Sequence, residues 1–106
     1  ELSGIGCSKG LVEGEVLIVE KLQDLPNLQD KILITKMTDP GWVYVLMQAK
    51  GVIAEQGSLL SHTAIISREL GIPSIVNVPH VTQILQTGEK IKMDGTSGII
   101  RRLNND

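Results

Sequence analysis

One histidine lies where a strand, a glycine-containing loop and a helix are expected to meet. The stretch GSLLSHTAIISRELGIP places Gly57, Ser61 and His62 just before or at the start of an amphipathic helix. The first amides of a helix lack intrahelical partners and the helix dipole adds partial positive charge, so an anion such as a phosphoryl group is favoured there. The same field disfavours imidazolium, which leaves neutral His62 with one ring nitrogen as a nucleophile. The pattern predicts phosphoryl chemistry at His62.

The loop before the histidine has residues that suit an anion. Gly57 allows the loop backbone to come close, because glycine tolerates positive φ and has no side chain in the way. Ser61 supplies a hydroxyl that is able to donate. We therefore expect the loop and helix amides of residues 57–63 to cradle a phosphate. Position alone also fits a histidine that is only exposed or capping, or one packed inside a larger enzyme with both ring nitrogens bonded.

Two other chemistries are weighed for the same residues. Ser58 and Ser61 near His62 suggest a serine hydrolase, but neither serine lies in a GxSxG elbow, and adjacent helix residues do not face each other. His62, His80 and Cys7 are possible metal ligands, but their spacings in the chain match no known metal-binding motif. Neither a serine nucleophile nor a metal site is predicted.

The elements that position His62 are those of an α/β domain with short strands, two main helices and one short helix. Asp39 as N-cap and Pro40 in the first turn start one helix, which ends near Gly51. Val43, Leu46 and Met47 are expected on its buried face. Strands are predicted at residues 14–20, 31–35, 51–55 and 74–78, and a C-terminal hairpin is expected to turn at Asp94 and Gly95. The other helices are predicted at residues 61–70 and 81–86. The opening at 4–10 is expected to be turn-rich, and a loop is expected at 21–30.

The helix that follows the loop has its own predicted buried face. Ala64, Ile65, Ile66 and Leu70 are expected to point inward, and Gly71 with Pro73 just beyond ends the helix. Glu55 and Gln56 lie between strand and loop, where either one could hold the loop or orient a ligand. The sequence does not decide between these roles, nor does it give the strand order.

Composition narrows the class of protein. The chain has 106 residues, of which 42% are hydrophobic and 21% charged, which suits one globular domain. A net charge of -2 and an aromatic content of 2% argue against nucleic-acid binding, which needs basic surface and stacking rings. No apolar run approaches the ~20 residues that cross a bilayer. A single cysteine, Cys7, suggests a reducing compartment, so a cytoplasmic protein is expected.

The stretch EQGSLLSHTAIISRELGIPSIVNV closely resembles the phosphohistidine motif of the PEP-utilising enzymes. GIGCSKGLVEGEVLIV, ILITKMTDPGWVYVL and GEKIKMDGTSGIIRRL resemble the opening, middle and closing segments of the same domain, so the resemblance covers most of the chain. This family includes phosphoenolpyruvate synthase, pyruvate phosphate dikinase, enzyme I of the sugar phosphotransferase system and rifampicin phosphotransferase. The fold it implies is the swivelling β/β/α phosphohistidine domain.

The resemblance also assigns roles around the histidine. His62 is implied to be the phosphorylated residue, and the implied phosphate-binding residues are Gly57, Ser58, Ser61, Thr63 and Arg68. Leu60 stands where the family commonly has Thr, which removes one hydroxyl from the phosphate site. This LSH variant is similar to the synthase and rifampicin branches. Arg68 with Glu69 also fits the solvated side of an amphipathic helix.

The implied function is that of a carrier. Residues 1–106 are expected to form a single domain of a larger multidomain phosphotransferase, inactive alone, which shuttles a phosphoryl group between two distant sites. By the resemblance, an ATP-grasp domain binds ATP and Mg²⁺, and a further domain binds PEP, pyruvate or another acceptor. No cofactor is expected on this domain itself. The alternative is a regulatory module of the same fold that binds an anion or a partner without catalysis.

Overall fold

One mixed sheet with short helices packed against it makes up the structure. The computed structural model describes residues 1–21 and 29–103. In that part of the chain the strands are β1 (Leu2–Ser3), β2 (Ile5–Ser8), β3 (Leu11–Ile18), β4 (Lys31–Thr35), β5 (Gly51–Ala54), β6 (Ser74–Val76), β7 (Lys90–Asp94) and β8 (Ile99–Arg102), and the helices are α1 (Val43–Gln48), α2 (His62–Leu70) and α3 (Val81–Ile84). The strand order is β1-β8-β7-β3-β4-β5-β6-β2. The predicted α/β class is confirmed.

Parallel pairing of the central strands decides where the chain places its loops. β3, β4, β5 and β6 run parallel, and α1 and α2 form the crossovers that join β4 to β5 and β5 to β6. The carboxyl ends of neighbouring parallel strands meet at the same edge of a sheet. The segments that follow Thr35 and Ala54 therefore leave the sheet side by side. The four predicted internal strands and the C-terminal hairpin are confirmed within a few residues.

The opening segment at residues 4–10 is not turn-rich, as its glycines suggested, but forms strands. β1 pairs with β8 at one edge of the sheet, and β2 pairs with β6 at the other edge. A single stretch of chain, which changes its pairing partner at Gly4, therefore supplies both edge strands. This connection closes the sheet into a barrel-like form. Glycine is needed for close backbone approach here: a Cβ on Gly6 would lie 2.4 Å from the Gly95 carbonyl oxygen.

The central strands are buried on both faces. Ile32 and Ile34 point into the cluster enclosed by the sheet, whereas Leu33 packs on the other side beneath α1. Full burial of such a side chain contributes roughly 1.5–3 kcal/mol, which explains the continuous apolar runs in these strands. Trp42, just before α1, belongs to the outer cluster.

Asp39 caps the helix start as predicted. Its side chain accepts a hydrogen bond of 2.8 Å from the Gly41 amide, and a 3-10 turn at Pro40–Trp42 leads into α1. Because this turn is wound more tightly than an α-helix, the buried face of α1 is displaced from the predicted one. Val45 and Leu46 are buried, and Met47, which we expected to face inward, is 58% exposed.

The helix α2 starts one residue later than predicted, ends as predicted and has most of its predicted buried face: Ala64 is buried, and Ile66 and Leu70 pack against the outer cluster. It begins at His62 and stops at Gly71, which adopts a left-handed φ of 73°. Ile65 is 40% exposed, so its predicted inward position is wrong. The buried positions include Thr63 and Ser67. Their hydroxyls are bonded inside the protein, so these small polar side chains fit the narrow space against the sheet.

Three further predictions concern other parts of the chain. The predicted short helix is confirmed as α3, which ends two residues earlier than expected. The predicted loop at 21–30 lies mostly at residues 22–28, outside the described residues. Among the described helices, none has the length and apolar character that a membrane crossing requires.

Candidate functional site

His62 lies at the point where the two crossover connections meet. It is the first residue of α2 and is partly buried. Thr38, from the segment that follows β4, places its Oγ1 3.2 Å from the Nδ1 of His62. The Nε2 atom of His62 has no hydrogen-bond partner among the described residues. Only one ring nitrogen is bonded, which does not fit a histidine that serves packing alone.

Thr38 is the residue of this site that sequence reasoning missed. Its Oγ1 also lies 2.7 Å from the Oγ1 of Thr63, and both threonines are buried, with 5% and 3% of their surface exposed. The signal was present in the chain order, since Thr38 follows a strand that is parallel and adjacent to the strand preceding His62. Side chains at the carboxyl ends of neighbouring parallel strands often share a site. That signal required the strand order, which the sequence did not provide.

Residues 57–61 form a tight turn before the helix. Gly57 has a φ of 133°, and a Cβ there would lie 2.9 Å from the Ser61 Oγ and 3.2 Å from the Val76 Cβ. Both the amide and the hydroxyl of Ser61 donate to the Ser58 carbonyl, at 3.0 and 2.8 Å. The Ser58 Oγ accepts from the Leu60 amide at 3.2 Å. The two serine hydroxyls therefore take part in holding the turn.

The start of α2 keeps free donors beside the histidine. Ser61 is the N-cap, and its side chain makes no capping hydrogen bond. The Ile65 amide donates to the Ser61 carbonyl, whereas the amides of His62, Thr63 and Ala64 have no partner among the described residues. These three amides, with the positive end of the helix dipole, can bind an anionic oxygen.

Arg68 contacts backbone carbonyls. Its Nε donates to the Cys7 carbonyl at 2.9 Å, and its Nη2 donates to the Leu59 carbonyl. Six residues separate it from His62, about 9 Å along a helix axis. The structure thus brings Arg68 to the turn at residues 57–61 and to the end of β2.

Glu55 at the end of β5 holds α3. Its carboxylate accepts hydrogen bonds from the amide of Thr82, at 3.0 Å, and from the Thr82 hydroxyl. Burial acts to raise the pKa of Glu55, but the two hydrogen bonds from Thr82, helped by the nearby Lys36 and His80, outweigh it and lower the pKa. The carboxylate of Glu55 thus holds α3 and not the loop before His62, which was one of the two roles left open for it.

Metal-binding side chains do not gather at this site. Among residues 1–21 and 29–103, no three histidine, cysteine, aspartate or glutamate side chains lie close enough to hold an ion. Cys7 is buried and unpaired, and burial raises the pKa of its thiol. A thiol of this kind is mostly protonated at neutral pH and is a weak metal ligand and nucleophile.

Large apolar side chains are exposed in the segments that carry the site. Leu59 and Leu60 precede His62, and Leu60 is 82% exposed. Met37, next to Thr38, and Ile65, one turn after His62, are exposed as well. We call Met37, Leu59, Leu60 and Ile65 the apolar rim. Its members carry no charge, and exposed apolar groups close together are typical of interaction surfaces.

The chain is similar to known proteins over most of its length. Rifampicin phosphotransferase of Bacillus cereus is 40% identical over 101 residues, which are 94% of this chain and 12% of that protein. A probable phosphoenolpyruvate synthase of Methanothermobacter thermautotrophicus is 37% identical over 100 residues, which are 93% of this chain and 15% of that protein. The chain therefore spans only about an eighth of the length of these relatives.

A solved structure and a family model match the same kind of domain. The NMR solution structure of Enzyme I (nEIt) superimposes with a TM-score of 0.62 and 26% identity, over 74% of this chain and 32% of that one. The family model for the mobile domain of PEP-utilising enzymes matches residues 27–98. These matches favour the phosphotransferase interpretation over a regulatory module. The chain belongs to the mobile-domain family of the PEP-utilising enzymes.

Proposed function

We propose that residues 1–106 act as the phosphoryl-carrier domain of a larger phosphotransferase and that His62 is transiently phosphorylated on Nε2. The observation that carries the proposal is the Thr38 hydroxyl at 3.2 Å from Nδ1, with Nε2 left without a partner among the described residues. A neutral imidazole that donates its Nδ1 proton to Thr38 has its lone pair on Nε2. That lone pair is the nucleophile.

The two transfers use the same nitrogen. In the first, the Nε2 lone pair forms the N–P bond while the bond from phosphorus to the donor oxygen breaks, and its electron pair leaves with that oxygen. In the second, an acceptor oxygen attacks phosphorus, the N–P bond breaks, and its electron pair returns to Nε2. Throughout, Thr38 keeps the ring in one orientation, because its own hydroxyl is fixed by Thr63. Positioning of this kind is a large part of phosphoryl-transfer catalysis.

Backbone donors are proposed to bind the transferred group. The free amides of His62, Thr63 and Ala64 at the start of α2 can bind phosphoryl oxygens. Gly57 has no side chain, so the turn before the helix packs closely against Ser61. Of the side chains proposed for this task, those of Ser58, Ser61, Thr63 and Arg68 are engaged within the protein, so their contribution is to hold the turn and the helix start. The binding donors are then mainly amides.

Partner domains are proposed to supply what this domain lacks. An ATP-grasp domain that binds ATP and Mg²⁺ would donate the phosphoryl group, and a second domain, with a site for PEP, pyruvate or another acceptor, would receive it. The apolar rim supports docking to such sites, since its exposed side chains flank Thr38 and His62 along the chain and burying them against a partner is favourable. The unpaired Cys7 supports a reducing compartment such as the cytoplasm.

Chemical phosphorylation tests the proposal without any partner domain. Phosphoramidate transfers its phosphoryl group to accessible, neutral imidazole nitrogens, and intact-mass spectrometry then counts the groups added. We expect His62 to be phosphorylated first, because the free amides at the start of α2 bind the transferred group, and the exposed His80 to follow more slowly. His62→Gln should therefore lose the fast labelling step, and the matched control His80→Gln should keep it. Labelling of His62→Gln at the wild-type level would overturn the assignment.

A further inference from the structure

The last residue of β4, Thr35, places a hydroxyl in a strand whose other buried side chains are aliphatic. Thr35 is 1% exposed, and a buried hydroxyl without a partner destabilises a fold. In the described part of the chain this hydroxyl makes one hydrogen bond, to the Met37 carbonyl oxygen at 3.4 Å. A carbonyl oxygen can only accept, so the hydroxyl of Thr35 is the donor.

The segment that follows β4 has few other hydrogen bonds to hold it. Its pairing with the segment after β5 ends where the Gln56 amide donates to the Lys36 carbonyl at 3.0 Å. Beyond that point the chain leaves the sheet. Across residues 1–21 and 29–103, the backbone of Met37 and Thr38 takes part in a single hydrogen bond, the one from the Thr35 hydroxyl.

This hydrogen bond acts on the peptide group that leads into Thr38. The Met37 carbonyl belongs to the peptide group between Met37 and Thr38, and a peptide group is planar. Holding that carbonyl therefore limits the direction in which the side chain of Thr38 leaves the backbone. The Oγ1 of Thr38 lies 3.2 Å from the Nδ1 of His62. The hydroxyl of Thr35 thus acts on the imidazole through one intermediate residue.

We propose that Thr35 is a positioning residue of the phosphoryl-transfer site, which keeps Thr38 against the ring of His62 by holding the Met37 carbonyl. The inference rests on the proposed function, because it concerns the same nucleophile. It requires the contact between Thr38 and the ring, in either direction of that hydrogen bond. It also explains a buried hydroxyl at a position where valine has the same shape and suits the core.

Stability and reactivity should respond differently to the loss of this hydroxyl. Thr35→Val puts a methyl group into apolar surroundings, and the carbonyl of the exposed Met37 can bond water instead. The urea midpoint of unfolding should therefore stay the same or rise. Phosphorylation of His62 should become about fivefold slower, the effect of one ordinary hydrogen bond. A residue that served the fold alone would lower the midpoint instead.

The test measures phosphoramidate labelling of the 106-residue chain in a His80→Gln background, where His62 is the single histidine. The ring nitrogen attacks phosphorus, the P–N bond of the reagent breaks, and ammonia leaves, so intact mass follows the rate. Thr35→Ser keeps the hydroxyl and should label at nearly the wild-type rate. The matched control Ser8→Ala removes another buried hydroxyl at the end of a strand, β2, and should leave the rate unchanged.

A double variant shows whether Thr35 acts through Thr38. Once the Thr38 hydroxyl is absent, loss of the Thr35 hydroxyl should have no further effect, so Thr35→Val/Thr38→Val should label at the rate of Thr38→Val. A further fivefold slowing in the double variant, or wild-type labelling of Thr35→Val, would overturn the inference. Thr35→Ala gives the same comparisons if the valine variant does not fold. Absence of labelling at His62 in the His80→Gln chain would instead overturn the proposed function.

Discussion

The Oγ1 of Thr38 lies 3.2 Å from the Nδ1 of His62, although 24 residues separate them in the chain. Thr38 follows β4 and His62 follows β5, and the parallel pairing of these strands brings the two segments together. A buried hydroxyl at this distance orients the imidazole and marks Nδ1 as the bonded nitrogen. The relationship links the topology of the sheet to the nitrogen that reacts.

Removal of the Thr38 hydroxyl should lower both the rate and the selectivity of phosphorylation. In Thr38→Val the ring is free to rotate and to exchange tautomers, so we expect phosphoramidate labelling several-fold slower, about the effect of one lost hydrogen bond. The product should contain phosphoryl groups on both ring nitrogens. Thr38→Ser keeps the hydroxyl and serves as the control. Labelling of Thr38→Val at the wild-type rate and only on Nε2 would contradict the orienting role.

Substitution of Gly57 should cost more stability than substitution of a glycine with open surroundings. Gly57→Ala puts a Cβ 2.9 Å from the Ser61 Oγ at a φ of 133°. Gly71→Ala meets no atom within 4 Å, so it measures the strain of positive φ alone. In urea unfolding we expect Gly71→Ala to lower the free energy of unfolding by about 1 kcal/mol and Gly57→Ala to lower it by about 2–3 kcal/mol. Equal costs would show that the Gly57 turn can relax.

Replacement of Arg68 should loosen the turn before His62 and leave the rest of the fold intact. Arg68→Lys keeps the charge near the carboxyl end of α2 but cannot donate from two positions of a planar group. Hydrogen exchange of the Leu60 and Ser61 amides should accelerate about three- to tenfold, since a charged hydrogen bond to Leu59 is lost.

The amide of Val52 in the central sheet is the internal control for Arg68→Lys. Its exchange should keep the wild-type rate, because this buried amide donates to the Pro73 carbonyl within the sheet and exchanges only when the sheet opens. Equal acceleration at Val52 and Leu60 would indicate a general loss of stability, and no acceleration at Leu60 would show that the contact to Leu59 does not hold the turn.

The carboxylate of Glu55 should make the stability of the fold depend on pH. Its pKa in the folded chain is below the ordinary value of 4.5, so the ionised form stabilises the fold above that pH, and the gain is lost as the pH falls through the folded pKa. Glu55→Gln should therefore be less stable than the wild type at pH 7 and nearly equal to it in strong acid. Urea unfolding at several pH values tests this, and a difference that is constant with pH would contradict it.

The sequence predicted the helices and strands more accurately than the contacts between them. The strands around Ile32–Ile34 and the ends of α2 followed from apolar runs and from Gly71, because these signals are local. The strands β1 and β2 were missed, since Gly4 and Gly6 suggest turns. In the structure their lack of a Cβ leaves room for distant backbone, the Val76 carbonyl beside Gly4 and the Gly95 carbonyl beside Gly6.

The candidate site shows the same division between local and distant information. His62 and the turn residue Gly57 could be found from their spacing in one short stretch. Thr38 could not, because its role depends on the adjacency of β4 and β5. The contacts of Arg68 with Leu59 likewise required the path of the turn, which local patterns do not encode.

The position of the phosphoryl group on the ring tests the central claim most directly. The chain with ¹⁵N-labelled histidine is phosphorylated with phosphoramidate, and two-dimensional ³¹P and ¹⁵N spectra identify the nitrogen that is bonded to phosphorus. The account predicts that the first phosphohistidine to form is at Nε2 of His62. A phosphoryl group at Nδ1 of His62, or on His80 with His62 unmodified, would contradict it.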